Sequence, residues 1–190
     1  MHKSKNNLRI EMLSKRKKYP FAFAKRDSLG LKQCILNNIE ITPNTVVAGY
    51  VPIHGEIDIT ETLDFFSRVG AVLVLPVISK DKLEIYFRNW VFNGVLERGD
   101  FNTFQPSNKN KIINPDLILV PLLAFDKKGY RLGYGKGFYD KGIYSLKKEK
   151  DVLAFGVAYD WQEVSYVPRN KFDERLDGVF TPSRFLKIKR

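Results

Sequence analysis

The sequence predicts an α/β protein in which a mostly parallel central sheet carries helices on both faces. Three observations lead there. Apolar runs without polar alternation recur along the chain, as in "AVLVLPVI" (residues 71–78), "LILVPLLAF" (residues 117–125) and "DVLAFGVAYD" (residues 151–160). Strands covered on both faces read that way, whereas half-exposed strands alternate. Segments of helical spacing stand between these runs, which is the pattern of βα units. The chain has 190 residues and 44% hydrophobic composition. That suits one three-layer, Rossmann-like domain spanning residues 1–190.

The elements follow in order. "SKNNLRIEMLSKRKK" predicts a helix starting near Ser4, a good N-cap. Lys5, Arg9, Met12 and Arg16 share one face by their spacing of three and four, with Leu8 beside them, so cations border the packed side; a solvated basic face is the alternative. A second helix is expected from about residue 25 to residue 38. Pro43 and Asn44 then turn the chain into the β-branched run "TVVAGYVPI". "ITETLDFFSRVG" (residues 59–70) predicts a helix capped by Thr60, with Leu63, Phe66 and Val69 inward and Gly70 closing it. The strand at 71–78 follows. "KLEIYFRNW" (residues 82–90) alternates and reads as a half-exposed antiparallel strand. Residues 98–115 form a long polar loop with aromatics, and loops of that length are often functional. "DLILVPLLAFD" (residues 116–126) reads as one buried strand. A helix is expected from about Gly137 towards Lys148, then the strand at 151–160.

Charge bounds the partners. The net charge is +11 and the pI near 9.6. Nucleic acid, anionic membrane surfaces and polyanionic small substrates would all be attracted. The first 18 residues carry seven Lys or Arg against one acid, Glu11. No apolar run approaches the roughly 18 residues of a membrane span. No apolar stretch follows the basic N-terminus, so no signal peptide is expected. Cys34 is the single cysteine, which rules out an internal disulfide and a cysteine zinc site. A cytoplasmic, monomeric protein is the simplest expectation.

The chemistry concentrates in "RLGYGKGFYDKG", residues 131–142. It is neither GxxxxGK[ST] nor GxGxxG. A strand precedes it and a helix follows. Gly133, Gly135 and Gly137 would let backbone N–H groups approach an anion at a helix N-terminus, and Arg131 and Lys136 add positive charge. A tight corner alone would also use glycines. Asp140, one turn into the helix, either favours the helix dipole or holds Mg²⁺ against a polyphosphate. "YVPIHGEID" (residues 50–58) places Glu56 in a turn after a strand, as a helix-entry acid or as an acceptor for a neutral N–H donor. Ligands of open α/β sheets sit at the carboxyl ends of strands. The glycine turn, residues 50–58 and "AYDWQ" (residues 158–162) should therefore converge on one rim. Asp173 and Asp177 stand four apart near the end. If Asp177 approached Asp140, a cation between them would be required. The two histidines form no cluster, and no Ser-His-Asp or Cys-His set is present.

"VPLLAFDKKGYRLGYGKGFYD" (residues 120–140), with the Lys5-to-Arg9 element, "GEID" (55–58), "GVAYDWQ" (156–162) and "DGVFTP" (177–182), resembles the 5-formyltetrahydrofolate cyclo-ligases, also called methenyltetrahydrofolate synthetases. The resemblance covers nearly the whole chain and is loosest at 90–115. It implies ATP- and Mg²⁺-dependent closure of 5-formyltetrahydrofolate to 5,10-methenyltetrahydrofolate, with ADP and phosphate released. By position, Lys5, Arg9, Arg131, Leu132, Gly133, Tyr134, Gly135, Lys136, Gly137, Phe138 and Tyr139 would contact ATP. Val51 and Glu56 would contact folate, with residues 134–138 shared between the two ligands. Lys136 and Arg131 would serve catalysis, and Asp140 and Asp177 would be the metal ligands. Two positions depart from the family pattern: Gln105 precedes Pro106 where many members have Glu, and Tyr134 occupies a variable position that is sometimes basic. Two rivals stand beside this reading: another ATP-dependent small-molecule kinase or ligase, and a basic nucleic-acid-binding module built on the first helix. No RNP, KH or zinc-finger pattern supports the latter.

Overall fold

The computed structural model describes residues 3–79, 81 and 83–189. Four α-helices and eleven strands are present among them. They are α1 (Lys5–Lys17), α2 (Phe21–Leu36), β1 (Val46–Ala48), α3 (Thr60–Arg68), β2 (Val72–Ser79), β3 (Glu84–Asn89), β4 (Glu97–Arg98), β5 (Phe104–Gln105), β6 (Leu117–Pro121), β7 (Ala124–Phe125), β8 (Arg131–Leu132), α4 (Phe138–Glu149), β9 (Leu153–Val157), β10 (Gly178–Phe180) and β11 (Phe185–Lys187).

Seven strands form the central sheet in the order β11-β10-β9-β6-β1-β2-β3. The five inner strands are parallel, and β3 and β11 close the edges antiparallel. Consecutive residues alternate between the two faces. Val47, Leu73, Leu117, Leu119, Phe155 and Phe180 pack with Leu31 and Ile35 of α2 and Leu63 and Phe66 of α3. Ala48, Val74, Ile118, Val120, Ala154 and Val179 pack on the other face with Ile143 and Leu146 of α4. Both faces are covered, which is why the strand sequences lack polar alternation. The α/β expectation is met.

Several boundaries differ from expectation. Helix α2 starts at Phe21 after Pro20, four residues before the expected start. A proline at the helix entry gives up an N–H that would be unpaired anyway. At α3, Ile59 is the N-cap, and the capping carboxylate is Asp58, whose Oδ1 accepts from Thr60 N at 2.8 Å and Thr60 Oγ1 at 2.6 Å. Pro76 lies inside β2, past the end of the β1 pairing, so its missing N–H interrupts no bond to β1. The alternating strand is found as β3, with Lys82 outside the described residues. The run 116–126 divides at Pro121: β6 stays in the sheet, and β7 pairs antiparallel with β8 in a separate hairpin. Within the polar loop, β4 and β5 form a short ribbon closed by a 3-10 turn at Asp100–Asn102.

The order of the sheet positions the site. From β1 the chain moves outward to β2 and β3, then returns to β6 on the other side of β1 and continues to β9 and β10. The reversal leaves a crevice beyond the carboxyl ends of β1 and β6. Helix α1 packs through Leu8 and Met12 on Leu123, Ala124, Leu132 and Val167, and so lies over the β7-β8 hairpin beside that crevice.

Candidate active site

A cleft of about 650 Å³ opens at the crevice. Its walls come from four places: Lys5 and Arg9 of α1, residues 50–56 after β1, Phe101, Thr103 and Phe104 of the ribbon, and the glycine turn running into α4. Asn170, Phe172 and Asp173 close the side next to Lys5.

The glycine turn is built as an open cradle. Gly135 and Gly137 have φ of +98° and +72°, a region L side chains rarely adopt. Gly137 is the N-cap of α4 and carries no side-chain cap, so the first N–H groups of the helix are left for another partner. A Cβ at Gly133 or Gly137 would meet nothing within 4 Å. The space beside the backbone is therefore cleft, not packed protein. A corner held by packing would show contacts there.

The cations come from α1 and from the turn. Arg9 Nε donates to Gly133 O at 2.9 Å, and its Nη1 donates to Asn6 Oδ1 at 2.7 Å. Lys5 Nζ donates to both carboxylate oxygens of Asp173, at 2.8 and 2.6 Å. Lys136 is exposed, with Nζ 5.7 Å from the centroid of Phe101. Arg131 is different. It is buried, its Nη2 donates to Asp140 Oδ1 at 2.7 Å, and its Nη1 donates to Glu174 O at 3.0 Å. A guanidinium tied up on two sides holds Asp140 and the 173–174 backbone in place. It also lines the cleft, where the sequence suggested a catalytic cation.

Across the cleft stands Glu56, 7% exposed. Its Oε2 accepts from Ile53 N at 3.1 Å and its Oε1 from the Tyr134 hydroxyl at 3.0 Å. Burial raises its pKa, opposed by the Ile53 hydrogen bond, the charge of Arg16 and the Tyr134 hydrogen bond. Burial also raises the pKa of Tyr134, and the Glu56 charge adds to it, so the phenol stays protonated as a donor. His54 packs edge-on to the Tyr134 ring at 6.1 Å.

Nearly all residues expected from the sequence meet here. Lys5, Arg9, Val51, Glu56, residues 131–139 and Asp140 all line the cleft. Leu132 does so while its side chain packs with Leu8 and Met12 of α1, so it offers main chain only. Phe138 is mostly buried against Phe101, ring centroids 5.5 Å apart.

Asp177 is not among the cleft residues, which corrects its expected pairing with Asp140. It precedes β10 at the amino end of the parallel strands, opposite the crevice. Its Oδ2 accepts from Lys147 Nζ at 3.0 Å and from Ala154 N at 2.9 Å. Lys147 is seven residues past Asp140 on α4, about 10 Å along the axis. The acid that reaches the cleft is Asp173. Residues 158–162 also miss the rim: Tyr159 and Trp161 stack on each other and pack on Tyr19, and Gln162 Nε2 donates to Leu122 O and Leu123 O. Gln105 folds over Gly99 within the ribbon and does not line the cleft.

Among the described residues no group of three His, Cys, Asp or Glu side chains could hold an ion. Both hydrogen bonds to Asp140 fall on Oδ1, from Arg131 and from Glu174 N at 3.1 Å. Its Oδ2 accepts none among the described residues. That suits a hard cation that takes one or two carboxylates and completes its shell with phosphate and water oxygens.

No helix among the described residues is long and apolar enough to cross a membrane. The Lys5, Arg9, Arg16 stripe faces the cleft and the protein interior.

The comparisons with known proteins identify a family. The 5-formyltetrahydrofolate cyclo-ligase family profile matches residues 1–182. A 5-formyltetrahydrofolate cyclo-ligase of Mycolicibacterium smegmatis is 32% identical over 189 residues, covering 96% of this chain and 95% of that protein. The cyclo-ligase of Escherichia coli K12 is 30% identical over 73% of this chain and 78% of its own length. The NMR structure of Aquifex aeolicus 5,10-methenyltetrahydrofolate synthetase superposes with a TM-score of 0.81 at 30% identity, covering 98% of this chain and 93% of that one. A cradle of glycines under α1 cations, facing a buried glutamate across one crevice, thus stands in a chain matched nearly end to end, and the chain belongs to the 5-formyltetrahydrofolate cyclo-ligase family.

Proposed function

We propose that this chain is an enzyme that closes 5-formyltetrahydrofolate to 5,10-methenyltetrahydrofolate, consuming ATP and releasing ADP and phosphate. The observation that carries the proposal is the open glycine cradle at the start of α4, sharing one cleft with Glu56.

The chemistry explains the residues. A formamide carbonyl is a poor electrophile, and its oxygen leaves badly. Transfer of the γ-phosphoryl group from ATP to the formyl oxygen gives ADP and an activated formyl carbon. N10 of the folate attacks that carbon and gives up its proton to solvent or the departing phosphate, the carbon–oxygen bond breaks, and phosphate departs with the oxygen. Such transfers need positioning and charge neutralisation more than acid–base groups. The N–H groups of the cradle and the start of α4 receive the phosphates, where the helix dipole favours negative charge. Arg9 and Lys136 neutralise them, and Lys5 joins by leaving Asp173. Arg131 keeps Asp140 in place. A bound Mg²⁺, held by Asp140 and phosphate oxygens, would add charge neutralisation at the transferring group. Glu56 accepts N–H donors of the folate ring system, and Val51 borders it. Both ligands are anionic, so the net charge of +11 raises their encounter rate.

The test is an absorbance assay with Mg²⁺, ATP and 5-formyltetrahydrofolate. A rise in methenyl absorbance matched by ADP, and absent without any one of the three, is the expected result. ATP turnover only with some other acceptor would point instead to a different small-molecule kinase or ligase.

A further inference from the structure

Arg16 has no assigned part in this reaction, yet it occupies a costly position. It is 3% exposed, in the last turn of α1. Burying a guanidinium costs several kcal/mol unless hydrogen bonds and an opposite charge offset it. Leu8 and Met12 already anchor α1, so packing alone does not call for a cation there. Its hydrogen bonds show what it does. Nη2 donates to Leu122 O, just past the end of β6, and Nη1 donates to the Tyr134 hydroxyl at 3.0 Å. That hydroxyl donates in turn to Glu56 Oε1 at 3.0 Å. Nε is buried without a partner among the described residues.

A second contact reaches the same acid. Gly55, beside Glu56, has φ +74°, and a Cβ on it would stand 3.2 Å from Arg16 Cγ. The loop carrying Glu56 therefore rests on the aliphatic stem of Arg16. One side chain thus supports the Glu56 loop from below and orients its carboxylate through Tyr134. The proton order is fixed. Arginine only donates, so the tyrosine oxygen accepts from it, and the tyrosine proton is directed to the carboxylate.

We propose that Arg16 is a positioning residue for the folate: through the Tyr134 hydroxyl and the Gly55 turn it fixes the Glu56 carboxylate in the orientation that accepts the ligand's N–H donors. The proposal rests on the cyclo-ligase reading and assigns its substrate side. It also gives Tyr134, the uncharged residue in the cradle, a task that a cation there would perform differently, since a cation would pair with Glu56 directly.

The test compares wild type with Tyr134→Phe, Arg16→Gln and the double variant. Tyr134→Phe keeps the ring and removes only the link, so it reports even if Arg16→Gln fails to fold. Losing a hydrogen bond to a charged group should raise KM for 5-formyltetrahydrofolate about tenfold or more. KM for ATP should move less than about twofold, and the double variant should be no worse than the worse single one, because the two residues act as one chain. An unchanged folate KM in Tyr134→Phe, equal shifts in both KM values, or additive losses would overturn the role of Arg16 while leaving the activity standing. Wild type that turns over neither substrate would overturn the cyclo-ligase reading itself.

Discussion

Arg9 lies against Gly135. Its Cζ is 3.0 Å from the point where a Cβ on that glycine would stand, while its Nε holds Gly133 O at 2.9 Å. The cradle is therefore shaped from outside by a cation of α1, and Gly135 lacks a side chain for two reasons: its φ of +98° and the guanidinium beside it. Gly135→Ala should cost about 1–2 kcal/mol from backbone strain alone. It should also push Arg9 off the turn. The expected outcome is a lower melting temperature and a raised KM for ATP, with KM for folate less affected. Thermal melts and initial rates check it.

Lys136 is exposed and has no hydrogen-bond partner among the described residues, only the distant Phe101 ring. Lys136→Ala should leave the melting temperature within about a degree while turnover falls roughly a hundredfold, the scale for losing one donor at a developing charge. An unchanged rate would show that this cation is not used.

Asp140 and Asp177 separate under substitution. Asp140→Asn should raise the Mg²⁺ concentration needed for half-maximal rate and lower stability, because Arg131 then keeps an amide where it had a carboxylate. Asp177→Asn should lower stability through Lys147 and Ala154 N and leave the Mg²⁺ requirement unchanged. A magnesium titration of both variants, paired with thermal melts, distinguishes the roles.

Glu56 gives a pH signature. Burial raises its pKa above the ordinary 4.5, so the folded state binds the proton more tightly than the unfolded chain does. Its contribution to stability is then fully present below 4.5 and is lost as the pH rises through the raised folded value. Glu56→Gln cannot titrate. Whatever its fixed cost at the Ile53 N–H, the stability of wild type relative to Glu56→Gln should fall as pH rises from below 4.5 toward neutrality. Denaturant melts across that range check the slope. A difference that stays flat would mean the carboxylate is solvated.

What the sequence disclosed follows from how local each signal is. Ser4 caps α1 as expected, its Oγ accepting from Asn7 N at 3.3 Å, because an N-cap is decided within four residues. The glycine turn and Glu56 were legible because residue type and strand ends alone bring them to one crevice, whereas Lys5 and Arg9, on a helix, were placed there only by the family resemblance. The division of β6 from β7 was not, because the apolar run continues through both and only the tertiary pairing with β8 separates them. The burial of Arg131 beneath Asp140 was hidden for the same reason: its partners are nine and forty-three residues away. Asp177 resembled a ligand by motif, but the direction of β10 carries it to the other end of the sheet. Arg16 stood in the α1 stripe, yet its link to Tyr134 spans 118 residues, and nothing in the local pattern reveals it.

The proposed reaction rests on one step, phosphorylation of the formyl oxygen in the cleft and its departure as phosphate. Folate labelled with ¹⁸O at the formyl group tests this directly, by mass analysis of the phosphate released with Mg²⁺ and ATP. The label is expected in inorganic phosphate, one atom per methenyl group formed. Unlabelled phosphate alongside full methenyl formation would contradict it.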